Sequence, residues 1–179
     1  INSMQILPFI PHAYEEIREG VLPSIVDRSI YESWVTKFQR HENLQSDRII
    51  YDSGGHTVTG ILLRPKVISP AGHPLIIFNR GGRNRYGMLN VLTINNLLQP
   101  LVAMNYIVIS SNYRGVDGGT GQDEFGGDEV QDIVQLIHHA RKLPEWDRRN
   151  IYMFGWSRGG MMTLLALKYG VDVNAIALG

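Results

Sequence analysis

The segment Tyr152-Met-Phe-Gly-Trp-Ser-Arg-Gly-Gly160 constrains this chain more than any other stretch. It sets Ser157 between Gly155 and Gly159, directly after a short apolar run and directly before one that reads as a helix. A strand that turns into a helix this sharply needs small residues beside the pivot. A serine hydroxyl held there stands clear of the backbone. The first N–H groups of the new helix face it, and the positive helix end favours negative charge developing beside it. The spacing therefore predicts a nucleophile elbow at Ser157. It also leaves a gap in the chemistry, because no histidine follows Ser157.

An elbow of this kind sits at the end of a strand in a parallel sheet, and the chain after Pro74 reads as one. Leu75-Ile-Ile-Phe78, Tyr106-Ile-Val-Ile109, Ile151-Tyr-Met-Phe154 and Ala175-Ile-Ala-Leu178 are continuously apolar, as strands covered on both faces are. Helical segments of crossover length lie between them, which makes βαβ units. The clearest runs from Asp128 to Leu143, where Val130, Ile133, Val134 and Ile137 form one apolar stripe. Asp128 is its expected cap, with acids in the first turn, His138, His139, Arg141 and Lys142 in the last, and Pro144 beyond. The helix Met161 to Tyr169 is apolar nearly all round, so it should be buried, with Gly170 at its C-cap. Pro100 predicts a kink or a break between Leu89 and Met104.

The N-terminal part is less regular. Pro11 to Glu19 and Tyr31 to Asn43 are expected helices, so residues 1–46 read as a helical extension ahead of a domain at 47–179. Two β-rich runs flank Gly54-Gly55, which predicts an antiparallel hairpin.

Composition narrows the function classes. Lysine plus arginine equals aspartate plus glutamate at 17 each, which argues against a general electrostatic grip on nucleic acid or an acidic membrane. The absence of cysteine excludes disulfides and thiolate metal sites. No apolar run approaches the roughly 20 residues of a membrane-spanning helix. A cytoplasmic protein without cofactor or metal is the default expectation. Its partner would be a small-molecule ester or peptide substrate, with no nucleic acid and no membrane.

Three further stretches carry candidate chemistry. Arg158 would offer a backbone N–H to an oxyanion hole at Ser157. Asn79-Arg-Gly-Gly-Arg83 follows a strand end, where paired glycines let backbone N–H groups approach a substrate closely. Gly81 is the expected second oxyanion donor, with Arg80, Gly82, Arg83 and Trp156 as candidate substrate contacts. Arg80, Arg83 and Arg85 suit either a substrate carboxylate or the acids of the loop Ser111 to Asp128. That loop lacks the spacing of a calcium site, so it reads as a glycine-rich connection. His56, His73, His138 and His139 fall in a hairpin, before a strand and at a helix end, away from the expected serine edge.

Taken together, these residues resemble the α/β-hydrolase fold and, within it, the catalytic domain of the prolyl oligopeptidase family. Arg80-Gly-Gly-Arg83 stands where that family has its oxyanion turn. Asn112-Tyr-Arg-Gly115 through Asp128 is similar to its glycine-rich loop and following helix. Phe154-Gly-Trp-Ser-Arg-Gly-Gly160 is similar to its elbow. The resemblance implies a three-layer sandwich around a mostly parallel sheet, with the four apolar runs as its third to sixth strands. It also implies a serine hydrolase that works by charge relay. Two departures stand out. Arg80 replaces the tyrosine that precedes the glycine pair in several members, and Asn105 replaces the glycine usual before the fourth strand. The family's acid and histidine would follow strands beyond Gly179. Asp172, the only acid after Ser157, is expected at the wrong edge of the sheet. The chain is thus expected to be a hydrolase domain incomplete at its C-terminal end, cleaving an ester or peptide bond. The rival expectation is a hydrolase-like protein that serves as a binding or assembly module.

Overall fold

A computed structural model of the protein describes residues 3–179; Ile1 and Asn2 of the expected extension lie outside the described residues. Its strands are β1 (Gln5–Pro8), β2 (Leu44–Ser53), β3 (His56–Pro65), β4 (His73–Asn79), β5 (Ile107–Ser111), β6 (Trp146–Gly155) and β7 (Ala175–Leu178). They form one sheet in the order β1-β2-β3-β5-β4-β6-β7. The β5-β4-β6-β7 half is parallel and the β1-β2-β3 half antiparallel, with β3 antiparallel to β5 at the seam. The expected hairpin closes on Gly54 and Gly55, both at positive φ, as a tight two-residue turn requires.

Period-2 alternation sorts the central strands between two layers. Leu75, Ile77, Ile107 and Ile109 face helices α5 (Val130–Ala140) and α6 (Arg158–Lys168), which bring Ile133, Leu136, Met162 and Ala166. Ile76, Phe78 and Val108 face the opposite way, toward Leu89, Ile94, Leu98 and Val102. Three layers result.

Those last residues belong to the segment broken by Pro100. It divides into α3 (Val91–Thr93), a π turn at Ile94–Leu98 and α4 (Gln99–Ala103), with the proline in the first turn of α4. Proline cannot donate to the helix ladder, and the wider turn before it absorbs the mismatch. Asn105 takes the left-handed conformation at φ 66 on entry to β5.

The N-terminal residues differ from the helical extension read in the sequence. Gln5–Pro8 is a strand paired with β2, so the four apolar runs lie on the fourth to seventh strands in chain order. The helices there are α1 (Tyr14–Ile17) and α2 (Arg28–Gln39), the second capped by the Asp27 carboxylate on the Ile30 N–H. The α5 helix also starts differently. Asp128 does not cap it; Glu129 precedes the first turn and turns its carboxylate back onto the N–H groups of Gly126 and Gly127.

Candidate active site

Parallel register brings Ser111, Asn79, Gly155 and Leu178 into one row across the C-terminal edge of the sheet. The chain leaves β4 toward the α3–α4 layer and leaves β6 into α6 on the opposite face. A crevice opens where neighbouring strands diverge in this way. The residues just past that row, Arg80-Gly81-Gly82 and Trp156-Ser157, line it.

Ser157 is exposed and holds φ 55 and ψ −124, a conformation costly for a residue with a side chain. Gly155 and Gly159, on either side of it, have no room for a side chain. A Cβ on Gly159 would lie 1.8 Å from the Asn79 carbonyl oxygen, and one on Gly155 would lie 2.3 Å from the Gly159 carbonyl oxygen. The Trp156 N–H donates to the Asn79 carbonyl (3.1 Å), and the Ser157 N–H donates to the Gly179 carbonyl (2.6 Å). Buried Thr163 donates to the Gly159 carbonyl (2.8 Å) and accepts from Asn79 Nδ2 (2.8 Å), tying the helix start to the end of β4.

Gly81 faces the serine directly. A Cβ built on it would stand 3.0 Å from Ser157 Cβ and 3.6 Å from Oγ. Among the described residues, neither the Gly81 N–H nor the Arg158 N–H has a hydrogen-bond partner. Gly82 has no space for a side chain either, since its Cβ would meet the Tyr86 carbonyl oxygen at 2.0 Å.

The arginines sort differently from the sequence expectation. Arg80 is 1% exposed and its guanidinium is wholly engaged by carbonyls. Nε and Nη2 donate to Asn112, Nη1 donates to Gly81 and Tyr86, and Nη2 also donates to Asn84. Burial pushes its pKa down to about 10, which leaves it protonated at neutral pH. Its side chain therefore braces the glycine turn from behind, with no donor left for a substrate carboxylate. Arg83 lies over the Phe125 ring (5.9 Å), and Arg85 donates to the Glu16 carbonyl.

Within the acidic loop, Asp117 pairs with Arg48 (2.7 Å) and Asp123 takes its cation from Arg158. The Arg158 guanidinium makes a two-pronged pair with Asp123 (2.7 and 2.8 Å), donates to Glu129 (2.5 Å) and also to the Gly82 carbonyl (2.9 Å). It stands 4.6 Å from the Phe125 ring and 5.1 Å from that of Tyr113. Burial pushes the Asp123 carboxyl up, but Arg158 and the N–H groups of Asn84 and Phe125 outweigh it and leave the pKa lowered. Burial likewise disfavours the Arg158 cation, and Asp123 more than offsets that, so its pKa is raised. One side chain thus ties the elbow, the glycine turn and the glycine-rich loop together. The sequence reading used only the backbone of Arg158. The available signal was an arginine among small and apolar elbow residues, while the sequence offered Arg80, Arg83 and Arg85 as the partners of the acidic loop.

No histidine among the described residues is hydrogen-bonded to Ser157. His12 pairs with Asp117 (2.9 Å), His41 with Asn95 (2.9 Å) and His73 with the Asn105 carbonyl (2.8 Å). His56 opens β3, and His138 and His139 lie in the last turn of α5. Asp172 precedes β7 at the edge opposite Ser157 and offers only its carbonyl, to Arg141 (2.9 Å). The described residues include no cluster of side chains suited to a metal ion, and no helix long and apolar enough to cross a membrane.

A half-parallel sheet with helices on both faces, a strained serine at a strand–helix turn and a glycine turn beside it define the α/β-hydrolase fold. Solved structures agree. The acylaminoacyl peptidase of Pyrococcus horikoshii superposes with a TM-score of 0.56 at 22% identity, over 79% of this chain and 24% of its own. A cold-adapted esterase from an Arctic intertidal metagenomic library does so with a TM-score of 0.60 at 19% identity, over 78% and 62%. Within that fold the chain resembles the prolyl oligopeptidase family: residues 93–176 match the sequence model of the Prolyl oligopeptidase family. It is 30% identical over 117 residues to the uncharacterized peptidase YtmA of Bacillus subtilis (strain 168). That alignment takes in 65% of this chain and 43% of YtmA, so the chain spans less than half of this relative.

Proposed function

We propose that this chain carries the nucleophile and oxyanion hole of a serine hydrolase that cleaves an ester or amide bond. The observation that carries the reading is Ser157 itself, exposed in a strained elbow with Gly81 pressed against it. In this mechanism Ser157 Oγ attacks the substrate carbonyl carbon, and its proton passes to a general base. The carbonyl oxygen takes the negative charge and rests on the free N–H groups of Arg158 and Gly81. Such donors act best in a preorganised site, where they need no reorientation as charge develops. Collapse of the tetrahedral intermediate expels the alcohol or amine and leaves an acyl-enzyme, which water then hydrolyses.

A serine hydroxyl is a weak nucleophile without a base beside it. Each histidine of this chain is bonded elsewhere or sits in the hairpin or the last turn of α5. The proposal therefore assigns the base and its carboxylate to residues outside 1–179. Peptidase and esterase relatives both support a carbonyl substrate.

The test is the intact mass of the native protein before and after a fluorophosphonate probe, with Ser157→Ala as control. One adduct that disappears in the variant supports the proposal. No adduct on the native protein overturns it and favours a binding or assembly module built on the same fold.

A further inference from the structure

Beside Ser157 lies an open cleft of about 380 Å³, within the range of small-ligand sites. The elbow contributes Trp156 to it and the broken helix contributes Leu92 and Leu97. One wall comes from a distant part of the chain: Val21 and Pro23, between α1 and α2.

That wall is held on several sides. Ile17, Val21, Leu22 and Val26 share a core with Met88 and Val91, which follow the glycine turn. Tyr14 Oη donates to the Val26 carbonyl (3.1 Å) and Tyr31 Oη to the His12 carbonyl (2.7 Å). Arg85, from the glycine turn itself, donates to the Glu16 carbonyl. His12 joins Asp117 in the loop after β5 (2.9 Å). The segment is thus built into the site rather than draped over it.

The lining also has a definite chemistry. It is mainly aliphatic and aromatic, and besides Ser157 and the Tyr86 hydroxyl its neutral polar members are Asn90, Thr93 and Asn96. Asn90 is already engaged, accepting from the Leu92 N–H and donating to the Met88 carbonyl. Among the described residues Arg80 is the only charged one on the lining, and carbonyls take its guanidinium. A carboxylate placed there would lose part of its water and gain no free cation, which is costly.

We infer that residues 21–23 form the specificity wall of the Ser157 cleft, and that the cleft selects an uncharged, apolar group next to the scissile carbonyl. This rests on the serine hydrolase reading and adds to it both a substrate class and a role for the N-terminal segment.

The experiment compares kcat/KM on the native protein, Pro23→Trp and Ile25→Trp. Two series serve: p-nitrophenyl acetate, butyrate, hexanoate and monosuccinate, and acetate esters of alcohols of rising length. Pro23 is exposed at the cleft wall, whereas Ile25 is 84% exposed and off the lining, so it controls for a bulky change nearby. The native protein should prefer longer uncharged chains in one of the two series, and disfavour monosuccinate by about 100-fold relative to butyrate. Pro23→Trp should cut the rate on the longest chain by about 10-fold or more relative to acetate, since apolar pockets discriminate methylenes on that scale. Ile25→Trp should not change the preference. Fluorophosphonate labelling of Ser157 in each variant separates the two levels of failure. Labelling with unchanged selectivity in Pro23→Trp, or a preference for monosuccinate, overturns the wall and its chemistry. Absence of labelling in the native protein overturns the hydrolase reading and this inference with it.

Discussion

The Arg158 guanidinium reaches from the first turn of the elbow helix to the Asp123 carboxylate, 2.7 and 2.8 Å away in a loop 35 residues earlier. Both side chains are within 2% of full burial. An ion pair this buried contributes little net stability while intact, because desolvation offsets attraction. Its removal from one side is another matter. The same guanidinium also holds Glu129 and the Gly82 carbonyl, so it links the elbow helix to the turn that carries Gly81.

Arg158→Met should therefore destabilise the protein by about 3–5 kcal/mol, since two buried carboxylates lose their cation. Urea unfolding read by tryptophan fluorescence measures this. Adding Asp123→Asn and Glu129→Gln to Arg158→Met should restore part of the loss, a coupling that independent sites do not show.

Acid should reveal the same pair. The folded-state pKa of Asp123 lies below its ordinary value of 3.8, so the unfolded chain binds the proton more readily. The stability from Asp123 is complete well above pH 3.8 and is lost as pH falls through its lower folded value. Unfolding free energies measured from pH 7 to pH 2.5 should drop in the acid range, and Asp123→Asn should remove its share of that slope.

The two adjacent glycines of the elbow should respond oppositely. A Cβ at Gly159 meets the Asn79 carbonyl oxygen at 1.8 Å, whereas one at Gly160 meets nothing closer than 3.8 Å. Gly159→Ala should forfeit several kcal/mol or fail to fold, as overpacking against rigid backbone does. Gly160→Ala should be tolerated and gain up to about 1 kcal/mol from helix propensity. Thermal melts of the pair decide it.

Strain at the serine is measurable too. Ser157→Gly should raise the unfolding temperature, because glycine accepts φ 55 at little cost and a side chain there costs about 1–3 kcal/mol. Ser157→Ala keeps the side-chain penalty, so it should lose the probe adduct without the stability gain.

Arg80→Met tests whether that arginine supports the turn. It leaves the carbonyls of Asn112, Asn84 and Tyr86 without their donor, at about 1–3 kcal/mol for each left unpaired in the interior. Stability and turnover should fall together for all substrates. A loss confined to KM for acidic substrates would instead mark Arg80 as a substrate clamp.

Ser157, its flanking glycines, the four apolar strands and the break at Pro100 were legible in the sequence alone. Each depends on residues close in the chain: apolar runs bounded by turns, a small-Ser-small spacing, a missing N–H. The strand Gln5–Pro8 was not legible, because four residues on an exposed edge carry no alternation and owe their conformation to β2. Nor was the start of α5, where a carboxylate in the right region turned out to hold loop N–H groups from one residue further on. The partners of the arginines lay beyond local reading altogether. Four arginines and several acids compete near the C-terminal edge, and only the packed positions of α6, the glycine turn and the loop decide that Arg158 takes Asp123 while Arg80 turns inward. The cleft wall is the extreme case, since Val21 and Ser157 come to line one cleft only once the sheet has assembled. Local periodicity and spacing determined most of the elements and the position of the elbow serine. Long-range burial, which sets which polar groups must find one another away from water, decided how those elements make a site.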